Sequence, residues 1–366
     1  MNRMKRVLIA TQKGLIILAK KNGNWQFERD EFLGMPASLV YVDPRNGAWW
    51  VSLAHKHWGH KMHISFDKGK SWKSVAPPTY PRGIEMKAGV QAKLRYVWAF
   101  GHGGYGSPDK MFVGTEPGGL FVTTNYGKDF EFIQSLWNHP SRENDWFGGG
   151  RDYAGIHTVF THPVNEQQIY IGVSCGGVFR SDDNAISWYA TNSGLRADYL
   201  PGIDIVAGHD PHMMKICRSN PDIIWQQNHC GVYRSANSGL DWKEITPQNG
   251  VGDYGFALAI DHEHPDRAWI IPAQSDNMRI AHDKALVVCR TDDGGKTWTE
   301  LRNGLPQENF YDIVLRHSFA FDGKELVFGT SMGRIFASDD QGSSWKSVEG
   351  YFPKVNAVVF DLLTNK

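Results

Sequence analysis

"TDDGGKTW", residues 291–298, decides how this chain folds, because close variants of it keep returning. They are "SFDKGKSW" at 65–72, "TTNYGKDF" at 123–130, "SDDNAISW" at 181–188, "SANSGLDW" at 235–242 and "SDDQGSSW" at 338–345. Each opens on Ser or Thr, carries Asp or Asn at its third position and closes on Trp, or on Phe130 in one copy. Turn chemistry accounts for that pattern. The Asp or Asn side chain accepts hydrogen bonds from backbone N–H groups ahead of it and holds a hairpin bend. The Gly two residues later supplies a positive φ at little steric cost. The hydroxyl tethers the loop, and the terminal ring buries a large apolar surface between layers. A metal or sugar site in every copy is the rival reading, but a single turn requirement already explains the pattern. The box is a structural device, and function has to be sought elsewhere.

Working outward, each box follows an apolar run such as "GGLFVTT", "GGVFRSD", "CGVYRSA" or "GRIFASD". Upstream lies a second run ("KMFVGTE", "QIYIGVS", "ELVFGTS"), and before it a third ("IHTVFTHP", "FALAIDH"). Short β runs, Gly-rich turns and no long helical periodicity predict an all-β protein. Three strands and a short fourth after the Trp make one propeller blade, and the spacing of the boxes matches such a repeat. The tail "KVNAVVFDLL" is one further inner strand, and the head "RVLIAT…GLIILAKKNGNW" is a hairpin ending at Trp25. Together they predict a single seven-bladed β-propeller over 1–366. Its seventh blade forms from 1–27 and 352–366, so that paired termini close the ring and protect its edges.

Composition sets the outer limits. With 39 basic and 39 acidic residues among 366, the chain lacks the basic excess of a nucleic-acid binder. No apolar run approaches membrane-spanning length. The opening "MNRMKRVLIATQKGLIILAKK" reads as a hairpin and not a signal peptide, since Thr11, Gln12 and Lys13 interrupt it. Four cysteines without a CxxC pair fit a reduced, cytoplasmic protein with buried thiols.

The boxes resemble those of the BNR/Asp-box repeat family, shared by sialidases, xyloglucan-degrading enzymes, the sortilin ectodomain and a photosystem II assembly factor. "GTEPGGLF", "GGGRDYAGIHTVFTHP", "GLRADYLPG" and "QQNHCGVYRS" are further similar to bacterial sialidase-like and glycosyl-hydrolase-like proteins. The resemblance implies the propeller fold and, with it, a site on the face opposite the boxes.

The long connections "PPTYPRGIEMKAGVQAK", "LWNHPSRENDWFGGGRDYAG" and "GLRADYLPGIDIVAGHDPH" fall on that face, and "SDNMRIAHDKA" adds a flap. Long irregular connections in a compact domain are usually functional. Aligning "HTVFTHPVNEQQIYIGVSCGG" with "HMMKICRSNPDIIWQQNHCGV" without a gap matches His157 to His212 and Ser174 to His229. The hairpin near Asn220-Pro221 predicts His212 opposite His229, where side chains share one face. Equivalent positions in other blades are Glu116 and His55 for residue 229, and Asp312 and Asn356 for residue 157.

His157, His212, His229, Glu116, Asp152 and Asp210 are therefore the candidate catalytic residues. His55, Trp146, Arg151, Tyr153, Tyr199, Gln274 and Asp312 are the candidate substrate contacts. Neutral imidazoles of His157, His212 and His229 with a carboxylate suit Zn²⁺ or a similar divalent ion, and without metal the same groups suit acid–base work near neutral pH. Two functional readings stand. One is a carbohydrate-active enzyme, glycoside-hydrolase-like or lyase-like, taking a glycan or small molecule at the channel mouth. The other is a non-catalytic binding or assembly scaffold.

Overall fold

The computed structural model describes residues 5–202, 205–248 and 250–361. Strands dominate, and the helical segments among these residues are short: Gln134–Trp137, Ser141–Asp145 and the 3₁₀ turn His282–Lys284. Five antiparallel sheets have four strands each, a sixth has eight, and a small hairpin pairs Glu85–Lys87 with Val90–Gln91. The innermost strands of the four-stranded sheets are Ala37–Val42, Tyr96–His102, Gly155–Thr161, Pro211–Ile216 and Gly255–Ile260. The eight-stranded sheet holds two more such strands, Val314–Asp322 and Val355–Phe360, joined by one parallel pair, His317 to Ala357. Each innermost strand packs against the next, and Val355–Phe360 packs against Ala37–Val42. Arg6–Thr11 lies between Gly14–Lys21 and Val355–Phe360, pairing antiparallel with both. Residues 1–4 and 362–366 of the expected closing unit lie outside the described residues.

The core sits between neighbouring sheets because their strands are apolar on both faces. Met111–Glu116, Ile169–Ser174 and Glu325–Thr330 are buried along their whole length. The terminal ring of each box wedges into the same layer: Trp242 and Trp298 donate their indole N–H to Thr191 O and Ile245 O of the preceding sheet, both at 2.8 Å.

The repeated turns behave as their chemistry demands, with one addition. In the first copy Ser65 Oγ accepts from Gly69 N at 2.8 Å, while Asp67 accepts from both the N–H and the hydroxyl of Ser71. The residues at 183 and 187, and at 293 and 297, repeat the double contact. The sequence pattern accounts for one positive φ per turn, whereas two consecutive residues adopt it, as in Lys68 and Gly69 at 60° and 78°. One copy sets Ala185 at 71°, where glycine stands in the others.

These turns make an acid-sensitive part of the fold. Hydrogen bonds from the hydroxyl and N–H of Ser71, Ser187 and Thr297 hold Asp67, Asp183 and Asp293 down to about 2. The folded value lies below the unfolded one, so the stabilisation is complete above about pH 4 and is lost as pH falls toward 2. The melting temperature is expected to drop across that window, less steeply in the triple variant Ser71→Ala/Ser187→Ala/Thr297→Ala. Identical acid profiles for the two proteins would count against this account.

Candidate functional site

One backbone device recurs near the start of the innermost strands. The pairing register of each slips once, leaving Ser38, Trp98, His157, His212, Phe256 and Asn356 without a strand partner. In Val314–Asp322 the slip is longer and spans Leu315 to Ser318. A β-bulge breaks the period of two and re-aims a side chain. These residues meet one another as a result. Trp98 lies 5.9 Å from His157, His212 stacks on Phe256 at 4.5 Å, and the Arg316 guanidinium covers Trp98 and Phe256 at 5.2 and 5.1 Å.

The bulge at His212 brings a carboxylate and two imidazoles together. Pro211 pairs with Asn228, and His229 N–H donates to Asp210 O at 2.9 Å. Asp210, and not His212, is therefore the residue directly opposite His229. The expected register omits the bulge, which pushes His212 out of phase and turns its ring back over Asp210. His212 Nε2 lies 3.1 Å and His229 Nδ1 3.5 Å from the same oxygen, Asp210 Oδ2. One potential ligand atom from each residue falls within 4.8 Å of the others, close enough for the three to hold one metal ion.

A set of outer contacts fixes this geometry. Asp210 Oδ1 accepts from Ser174 Oγ at 3.0 Å and from Cys175 N at 3.1 Å, and His212 Nδ1 bonds Gly255 O at 2.6 Å. Tyr199 and Tyr254 stand edge-on to His229 at 4.8 and 5.3 Å. Asp210 and His212 are nearly inaccessible, with side chains 9% and 2% exposed, whereas His229 is 22% exposed and forms the open side. Burial opposes ionisation of Asp210, but the two histidines and Arg316 outweigh it and hold the carboxyl well below its ordinary range. Burial pushes His212 down, with Asp210 pulling the other way. Burial and the Arg316 charge depress His157 strongly.

The structure does not bring the other candidates into this group. His157 is fully buried, with Nδ1 2.9 Å from Thr158 Oγ1, and its ring fits because residue 172 is glycine: a Cβ there would start 3.0 Å from His157 Cε1. Glu116 is ion-paired with Arg151, whose guanidinium lies over Tyr96 at 4.1 Å. Asp152 pairs with Arg95 at 3.1 Å in an exposed position, and Arg95 also covers Tyr153. Asp312 accepts from Ile313 N and Met332 N and so braces a loop; its expected alignment with His157 is displaced by the long slip that carries Arg316 inward. His55 caps a turn through His57 N and Trp58 N, and Ala54 takes the place equivalent to residue 229. Gln274 accepts from Asp283 N at 2.8 Å and steadies the flap, while Trp146 donates to Ser141 Oγ and packs on Phe179. Sequence reasoning did not single out Tyr254, Phe256, Trp98 or Arg316. The cue for Arg316 is the extra length of the run 314–322, which a strictly alternating reading of strands passes over.

No known family description matches the chain. A xyloglucanase of Acetivibrio thermocellus is 24% identical over 307 residues, covering 75% of this chain and 33% of that protein. The chain thus spans about a third of the length of that curated relative. Among solved structures, the GH74 enzyme of Niastella koreensis superposes with a TM-score of 0.59 at 17% identity, over 93% of this chain and 53% of the other. YCF48 from Cyanidioschyzon merolae superposes with a TM-score of 0.54 at 12% identity, over 90% and 96% of the two chains. At such identities the likeness is one of architecture: the protein is an all-β propeller of the kind seen in GH74 glycosidases and YCF48.

Proposed function

We propose that this chain is a carbohydrate-active enzyme, glycoside-hydrolase-like or lyase-like, working through a divalent cation held by Asp210, His212 and His229. The contact between His212 Nε2 and Asp210 Oδ2 carries the reading. Gly255 O can only accept, so the proton of a neutral His212 resides on Nδ1. Its Nε2 lone pair then faces a carboxylate oxygen at 3.1 Å, two acceptors that need a positive centre between them. A proton would serve that one contact, whereas a metal ion serves all three ligands. Ligands about 2.0–2.2 Å from Zn²⁺ in a tetrahedron stand roughly 3.3–3.6 Å apart; the 3.1 and 3.5 Å to Asp210 Oδ2 lie close to that range, and the three ligand atoms all fall within 4.8 Å of one another. The bonds from Gly255 O, Ser174 and Cys175 are the outer contacts that orient such ligands.

A bound ion would supply Lewis acidity at the open His229 side. On that side the exposed ring of Tyr199 is the aromatic surface open to a sugar, while Tyr254, Phe256 and Trp98 pack around the group beneath Arg316. A glycosidase working with a carboxyl pair needs one acid of raised proton affinity. The displaced carboxyls near this group, Asp210 and Asp276, are both displaced downward. That favours the cation, His and Tyr groups as the reacting machinery. The xyloglucanase likeness supports a glycan as substrate.

We further read the sheets as seven blades in one closed ring, its last blade shared by the two ends of the chain. The pairing of Arg6–Thr11 with Val355–Phe360 and the unbroken succession of innermost strands support it. The test of function is a panel of xyloglucan-derived and uronate-containing oligosaccharides, incubated with metal-loaded and chelator-treated protein. Turnover is expected in the loaded sample and its loss, by roughly 100-fold or more, after chelation. A protein that binds no cation and turns over no glycan is a binding or assembly scaffold.

A further inference from the structure

A cavity of about 320 Å³ occupies the centre of the molecule, and every innermost strand contributes to its wall. Its lining holds Lys215, Arg218, His102, His157, His262 and His317, and among the described residues no Asp or Glu. Among the described residues Lys215 has no hydrogen-bond or ion-pair partner there, and burial lowers its proton affinity. Three imidazole nitrogens, His157 Nε2, His317 Nε2 and His262 Nδ1, are buried without a partner. Arg316, which approaches His157 and His317 closely enough to depress both, also leaves its Nε unpaired.

We propose that this cavity is a binding site for a small oxyanion, with Lys215 as its charged anchor and His317 and His157 as hydrogen-bonding partners. An ammonium offers three donors and no acceptor, and Lys215 is half-buried in a wall that carries other basic groups. Water in the space would satisfy its donors but leave that excess of basic groups without a counter-charge. A phosphate, sulfate or carboxylate group brings both acceptors and charge, and its bonds to a cation are the stronger kind. The apolar remainder of the wall, including Val40, Val159 and Ile260, keeps the ligand small and excludes a second charged partner. This site is independent of the cation group and of the glycan reading.

The test is titration with sodium phosphate at constant ionic strength, followed by melting temperature and by the ³¹P line width of the added phosphate. A ligand that binds only the folded state raises the melting temperature with its concentration. The wild-type protein is expected to show both effects, and Lys215→Met to weaken binding at least about tenfold. Lys215→Arg should bind within a few-fold of wild type, and His229→Ala should match it, separating this site from the cation group. Parallel titrations with sulfate and acetate distinguish a tetrahedral oxyanion from a carboxylate. An absent wild-type response, or Lys215→Met responding like wild type, overturns the proposal. Should Lys215→Met not fold, His317→Leu takes its place, with the same loss expected and an unchanged response equally fatal.

Discussion

His229→Ala is expected to abolish binding of the proposed cation while leaving the fold in place. The wild-type protein, loaded with Zn²⁺ and dialysed, should retain about one equivalent, and the variant's affinity should fall by at least roughly 100-fold. The argument rests on asymmetry within the group. Asp210 and His212 are sealed into the protein and tied to Ser174, Cys175 and Gly255, so replacing either also breaks buried hydrogen bonds. His229 is the most accessible of the three proposed ligands, and its ring is flanked by the edges of Tyr199 and Tyr254. Its truncation removes a ligand with little loss of buried structure, and the melting temperature of the metal-free protein should move by no more than a few degrees. Elemental analysis and a competitive Zn²⁺ titration read the outcome. Equal Zn²⁺ affinity in wild type and variant would remove the cation from the proposal.

Deleting residues 1–25 is expected to abolish soluble, monomeric protein. The deletion removes Arg6–Thr11 and Gly14–Lys21 and so strips Val355–Phe360 of its antiparallel partner. It also takes Val7, Leu8, Ile9, Leu15, Ile17, Leu18 and Trp25 from the core, all of them buried. Burying such side chains contributes about 1.5–3 kcal/mol each, so the loss is on the order of 10–20 kcal/mol. That matches or exceeds the whole stability of an ordinary domain, about 5–15 kcal/mol. The exposed edge would invite pairing between chains, so aggregation or inclusion bodies are the expected result. A soluble monomer with an unchanged melting temperature would show that the two ends of the chain do not stabilise each other.

Much of the candidate site was legible before any coordinates. The gapless match of 157–177 to 212–232 singled out His212 and His229, and the long loop before residue 211 supplied Asp210 and Tyr199. The partners that orient them were not legible. Ser174 and Cys175 come from the neighbouring sheet, Gly255 from the next one, and Arg316 from a strand about a hundred residues further along. The assignment of His157 as a ligand came from treating equivalent positions as equivalent roles. In the structure that ring lies under Gly172 and bonds Thr158, so the same bulge buries a histidine in one sheet and sets His212 beside Asp210 in the next.

By itself the sequence determined the strand class, the turns and the repeat, because these depend on interactions within a few residues. A Ser or Thr, an Asp or Asn and a residue tolerant of positive φ suffice to make the turn wherever they occur. Only the tertiary structure decided which polar side chains meet. Strand alternation fixes a side chain's face only while the register is unbroken, and one extra residue reverses it. The bulges at His212 and around Arg316 break that alternation, and apart from the extra length of the run 314–322 the hydrophobic pattern does not mark them. The distance between Asp210 and His212, on which the proposed chemistry rests, is therefore a property of the assembled sheets and not of any segment alone.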